Sequence, residues 1–193
     1  RDYPCEYSPQ APYEVRSTPW ISCGELRLLH YTESALERVY NSGRFRLTAE
    51  YVLKASGKSP FEFYTGLGAA AHMAGLDSGV SLDDYTAFLQ EYCAALPGVD
   101  REKLRDHLVR DRLATNSTGG LPPCLRRDDE LLAKAVKRLS QNPGTAPKKS
   151  VRRGAALLYG AKAICWADYD PAERNPVTGR WKLNEIPFEK LLK

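Results

Sequence analysis

With 193 residues, 42% of them hydrophobic, the chain carries enough apolar material for one core and a small annex. No run of about 18 apolar residues occurs, which argues against a membrane-spanning helix. The formal net charge of +4 is unevenly placed: residues 126–153 hold nine Lys or Arg against three Asp or Glu, so the remainder is net acidic.

Residues 1–21 contain Pro4, Pro9, Pro12 and Pro19 and three tyrosines. Proline removes backbone donors and disfavours helix, so this stretch is expected to be an extended arm lying against a surface. Arg1-Asp2-Tyr3-Pro4 has neither a starting Met nor the apolar stretch of a signal peptide. The expectation is a piece of a longer or processed chain, cytoplasmic because its five cysteines are odd in number and widely spaced.

Residues 22–150 read as a helical domain. A first helix is expected from about Ser22 to Tyr40, with Ser22 and Glu25 forming a capping box. Asn41-Ser42-Gly43 ends it, and a second helix covers about Arg44 to Ala55, with Phe45 inward. Ser59-Pro60-Phe61-Glu62 is the clearest helix start in the chain, and that third helix runs to about Met73. A fourth begins at Ser81 and shows a regular apolar stripe through Leu82, Tyr85, Leu89, Tyr92 and Leu96. The fifth, about Arg101 to Ala114, is highly charged and offers only Leu104, His107 and Leu108 as inward groups. The sixth, about Asp128 to Ser140, places Leu131, Leu132, Ala135, Val136 and Leu139 inward, and 141–150 follows as a mobile polar loop.

From 151 to 193 the periodicity changes. Ala155–Tyr159, Ala163–Ala167 and Arg180–Ile186 are strand-like, and Asn175-Pro176-Val177-Thr178-Gly179 is turn chemistry. The reading is a β-hairpin annex, with a possible third strand, packed on the helices. The fold class expected is therefore mainly α, about six helices in a bundle-like domain with a small C-terminal β-hairpin.

Few patterns suggest chemistry. Gly66-Leu67-Gly68-Ala69-Ala70-Ala71 matches a dinucleotide fingerprint, but that fingerprint needs a preceding strand. Here the glycines fall inside a capped helix, where they more simply let two helices approach. His30, His72 and His107 lack a second ligand at helical spacing, and no Cys-x-x-Cys pair exists. Asp168-Tyr169-Asp170 could hold a metal but is read as a turn flanking Pro171. Trp20, Trp166 and Trp181 are expected to fill the core or the seam between helices and hairpin.

Several words occur in a set order: Pro12-Tyr13-Glu14-Val15, Ser17-Thr18-Pro19-Trp20, Tyr40-Asn41-Ser42-Gly43-Arg44-Phe45, Pro60-Phe61-Glu62-Phe63-Tyr64, then Asp168-Tyr169 and Asn175-Pro176-Val177-Thr178-Gly179. The set resembles the C-terminal domain, of unknown function, in cobalamin-binding radical S-adenosylmethionine proteins. Such chains are often labelled magnesium-protoporphyrin IX monomethyl ester oxidative cyclase or Fe–S oxidoreductase. The resemblance is densest over 12–64 and weak over 97–150. It implies earlier domains in a parent chain: a Rossmann-like cobalamin domain, and a radical barrel whose Cys-x-x-x-Cys-x-x-Cys motif holds a [4Fe–4S] cluster that cleaves S-adenosylmethionine. None of the cysteines here forms that motif, so no cofactor, metal or catalytic residue is assigned within these 193 residues.

The expected role is an accessory domain beside the barrel, covering its active site or positioning an unknown substrate or partner. Tyr13, Glu14, Trp20, Asn41, Arg44 and Phe45 are the residues expected to face that partner. The alternatives are a stand-alone helical adaptor, or a nucleic-acid-binding module using the basic 126–153 stretch, whose affinity would depend on salt. Neither nucleic acid nor membrane is the favoured partner.

Overall fold

Asp100 accepts the amide of Lys103 and starts α5 (Arg101–Thr115), a helix that touches both the helical body and the C-terminal sheet. The computed structural model, which describes residues 4–127, 129–142, 144–147 and 150–191, places this charged helix at the centre. Its buried face holds Leu104, Leu108, Val109 and Leu113, but also Arg105, Asp106 and Asp111. The sequence pattern missed these because apolar periodicity does not register polar groups satisfied by distant partners. Arg105 donates to the carbonyls of Leu125 and Leu157, at 2.6 and 2.9 Å, and lies over the Tyr159 ring. Asp106 accepts the amides of Tyr159 and Ala161.

On α5 pack α2 (Arg46–Ser56) and α4 (Leu82–Ala94), and beyond them α1 (Cys23–Leu36) packs on α3 (Pro60–Met73). The capping boxes at Ser22/Glu25 and Ser59/Glu62 both form. The first helix does not run regularly to Tyr40. It widens into a π-helical turn over Glu37–Asn41, closed by the Ser42 amide on the Glu37 carbonyl at 2.9 Å. Gly66 and Gly68 lie within α3. A Cβ at Gly68 would overlap the Tyr31 backbone of α1, so the glycine allows the two helices to touch.

The C-terminal part is a three-stranded antiparallel meander rather than a simple hairpin: β3 (Arg153–Leu158), β4 (Ala163–Asp168) and β5 (Asn184–Pro187). Alternation splits its two faces. Ala156, Leu158 and Cys165 join the principal core on α5. Leu157, Ile164 and Trp166 face the other way and join Ala135 and Leu139 of α6 (Asp129–Gln141). The sheet is thus a middle layer between the helical body and α6, with a short α7 (Phe188–Leu191) beside it.

The N-terminal arm also departs from expectation. It folds on itself as an antiparallel pair, β1 (Glu6–Tyr7) and β2 (Val15–Ser17). Trp166 is buried and Trp181 meets Tyr169 edge-on, but Trp20 is 70% exposed and does not fill the core. The expected turn at 168–170 is displaced: Asp168 ends β4, and the turn begins only after Asp170. Asp168 makes a bidentate pair with Arg153, and Asp170 caps a 3-10 turn over Pro171–Glu173. The start of the sixth helix at Asp128, and part of the expected mobile loop at 143, 148 and 149, fall outside the described residues. No helix among the described residues is long and apolar enough to cross a membrane.

Candidate functional site

The corner after the π-turn is built by short-range bonds. Asn41 donates its side-chain amide to Glu37, the Ser42 hydroxyl donates to the Arg38 carbonyl, and the Arg44 amide donates back to the Ser42 hydroxyl. Gly43 takes φ +67°, a conformation that side chains resist, and so lets the chain reverse. Phe45 then drops into the core, 5% exposed, with its ring 6.2 Å from Tyr85, and α2 begins.

That helix start has no side-chain cap of its own. Asp111 of α5 supplies one from 63 residues away. Its carboxylate accepts the amides of Leu47 and Thr48 and the Thr48 hydroxyl, at 3.1, 2.8 and 2.8 Å. Asp111 is fully buried, and burial pushes its carboxyl above the usual carboxylate range. The Thr48 amide and the guanidinium of Arg180 pull the other way. Arg180 donates 2.7 Å bonds to Asp111 and to the Gly43 carbonyl, joining residue 180 to the corner 137 positions earlier.

The loop that presents Arg180 is equally well defined. The Asn175 side chain accepts the amides of Val177 and Thr178, Gly179 takes φ +67°, and Arg174 donates to the Gly179 carbonyl while lying over Trp181. The Trp181 amide anchors the loop on the Ala114 carbonyl of α5.

Between this loop and the corner lies an open cavity of about 600 Å³, within the size of small-molecule sites. Four arginines border it, Arg44, Arg46, Arg174 and Arg180, against one acid, Glu50. Arg46 pairs with Glu50 at 3.0 Å, whereas the exposed guanidinium of Arg44 has no partner among the described residues. A second hollow, of about 360 Å³, adjoins it through Ser42 and Arg44 and reaches Arg38 and Tyr85, whose buried hydroxyl is unpaired. A smaller hollow of about 190 Å³ borders Arg153 and Asp168, which neutralise each other.

Of the six residues expected to face a partner, the structure brings Asn41 and Arg44 to this cavity. Phe45 lies beneath them in the core. Tyr13, Glu14 and Trp20 sit on the exposed arm, and none lines the cavity. Sequence reasoning missed Arg46, Arg174, Arg180 and Asp111. The only signal was that Asn175–Gly179 is a well-formed turn with an arginine on either side.

Cys93 and Cys165 are fully buried, and burial pushes both thiols up to about 12, where they stay protonated. No three His, Cys, Asp or Glu among the described residues converge as a metal site. In the basic stretch, Arg127 pairs with Glu102, Arg126 donates to the Leu121 carbonyl and Arg153 is held by Asp168.

A mainly helical domain bearing an arginine-lined cavity on one side is the class that fold and site define. A family model described as "Protein of unknown function (DUF4080)" matches residues 1–152, and the chain belongs to that family. Comparison with curated proteins and with solved structures gave no match.

Proposed function

We propose that this chain is a non-catalytic companion domain of a cobalamin-dependent radical S-adenosylmethionine enzyme, and that the cavity beside Asn41 and Arg44 faces the parent's substrate or its barrel. The observation that carries the reading is spatial. Two of the words on which the resemblance rests are far apart in the chain yet meet at one cavity, the first through Tyr40–Arg44 and the second through Thr178 and Gly179. The [4Fe–4S] cluster, S-adenosylmethionine and cobalamin would be held by other parts of the parent.

The test uses the native gene product purified without oxygen. Its absorption spectrum is expected to show both a cluster and a cobalamin. Turnover is expected to fall about tenfold or more with Asn41→Ala or Arg44→Ala, the loss of a charged or well-placed contact. A protein without a cluster, or unchanged turnover in both variants, would defeat the proposal.

A further inference from the structure

The arginines bordering the cavity are not equivalent, and their differences identify what it takes. Arg180 is spent: both of its terminal nitrogens are engaged, one by Asp111 and one by the Gly43 carbonyl. It positions the two walls. Arg174 uses Nε on the Gly179 carbonyl, and its guanidinium carbon sits over the Trp181 ring, 5.5 Å from the centroid. Arg46 is balanced by Glu50. The guanidinium of Arg44 has no partner among the described residues. A wall fixed by a buried ion pair thus carries cations whose forks are partly or wholly unused, with one acid to offset them.

A guanidinium presents paired N–H donors that match the two oxygens of a carboxylate or phosphate. Tyr40, 64% exposed at the rim, adds an aromatic face beside them. We infer that the cavity between the Tyr40–Phe45 corner and the Asn175–Arg180 loop binds the oxyanion of a small molecule, a carboxylate or a phosphate, through Arg44, Arg174 and Arg46. This deepens the companion-domain reading and rests on it for the identity of the molecule as substrate. The binding itself is a property of this chain.

The experiment titrates the 193-residue chain with inorganic phosphate and, separately, with citrate, at constant ionic strength, by calorimetry and by amide chemical shifts. Saturable binding of at least one is expected, and the stronger of the two tells phosphate chemistry from carboxylate chemistry. Arg44→Ala and Arg174→Ala should each weaken it about tenfold, the worth of a charged hydrogen bond, and Arg44→Lys should weaken it less. Lys134→Ala, on the far helix α6, should leave it unchanged. Arg44→Gln, which keeps the side-chain length at an exposed site, guards against a variant that misfolds, and far-UV circular dichroism checks each protein. No saturable binding of either anion, or an equal loss in Lys134→Ala, would overturn the inference. Binding by the chain with unaltered turnover of the Arg44→Ala parent would sink the companion-domain reading while leaving the site. Loss of turnover without anion binding would do the reverse.

Discussion

Asp111 is a fully buried carboxylate on α5. A buried carboxylate is costly unless several donors meet it, and four do: two amides, a hydroxyl and a guanidinium. Asp111→Ala would leave Arg180 facing an apolar gap and the start of α2 uncapped. The expected loss is about 3–5 kcal/mol in urea unfolding, while Asp111→Asn should retain part of the stability. A loss below about 1 kcal/mol for the alanine would show that the pair is dispensable. His107 makes a second prediction. It stacks on Tyr51, and burial, assisted by Arg110, lowers its pKa, while Glu185 and Glu50 raise it. The unfolded imidazole takes a proton near about pH 6.5 and the folded one only at lower pH. The unfolded state therefore binds more protons in between, and stability falls as pH drops below about 6.5. The urea midpoint should decline from about pH 7.5 to about pH 5.5, and less steeply in His107→Gln. An equal slope in both proteins would remove His107 as the cause.

At the scale of elements, helix starts were legible and helix roles were not. Ser22/Glu25 and Ser59/Glu62 announce their helices because a capping box involves only neighbours in sequence. Gly66 and Gly68 were readable as packing residues for the same reason: the helix was already fixed around them. Substitution separates their two environments. Gly68→Ala drives a methyl into the Tyr31 backbone, which cannot yield, and should cost about 2–3 kcal/mol. Gly66→Ala meets only the hydroxyl end of Tyr92, which can swing aside, and the gain in helix propensity offsets most of the strain. It should lie within about 1 kcal/mol of the parent; thermal melts of both variants check the contrast. The role of α5 was hidden because Arg105, Asp106 and Asp111 look like a solvated face. Their partners lie at Leu125, Leu157, Tyr159 and Thr48, which no local window contains. The cavity was half legible. Asn41 and Arg44 stood out as a polar corner, but the second wall is brought to it only by tertiary structure.

For the whole molecule, the family match and the core have different limits. The match ends at residue 152, just before the sheet, yet Ala156, Leu158 and Cys165 lie in the principal core. Cutting there would also leave Arg105 and Asp106 buried without the Leu157 carbonyl and the Tyr159 and Ala161 amides. Residues 1–152 alone should unfold without a cooperative urea transition, and a sharp transition at the full-length midpoint would show the sheet to be an appendage. The same sheet end supplies the loop that closes the cavity, so stability and site depend on one joint between residues 43, 111 and 180. The most direct test of the cavity beside that joint as a binding site is a crystal of the chain soaked in selenate, with anomalous scattering locating the selenium. The account predicts a peak within hydrogen-bonding distance of Arg44 and Arg174. Selenate ordered elsewhere on the molecule, with that cavity bare, would contradict it.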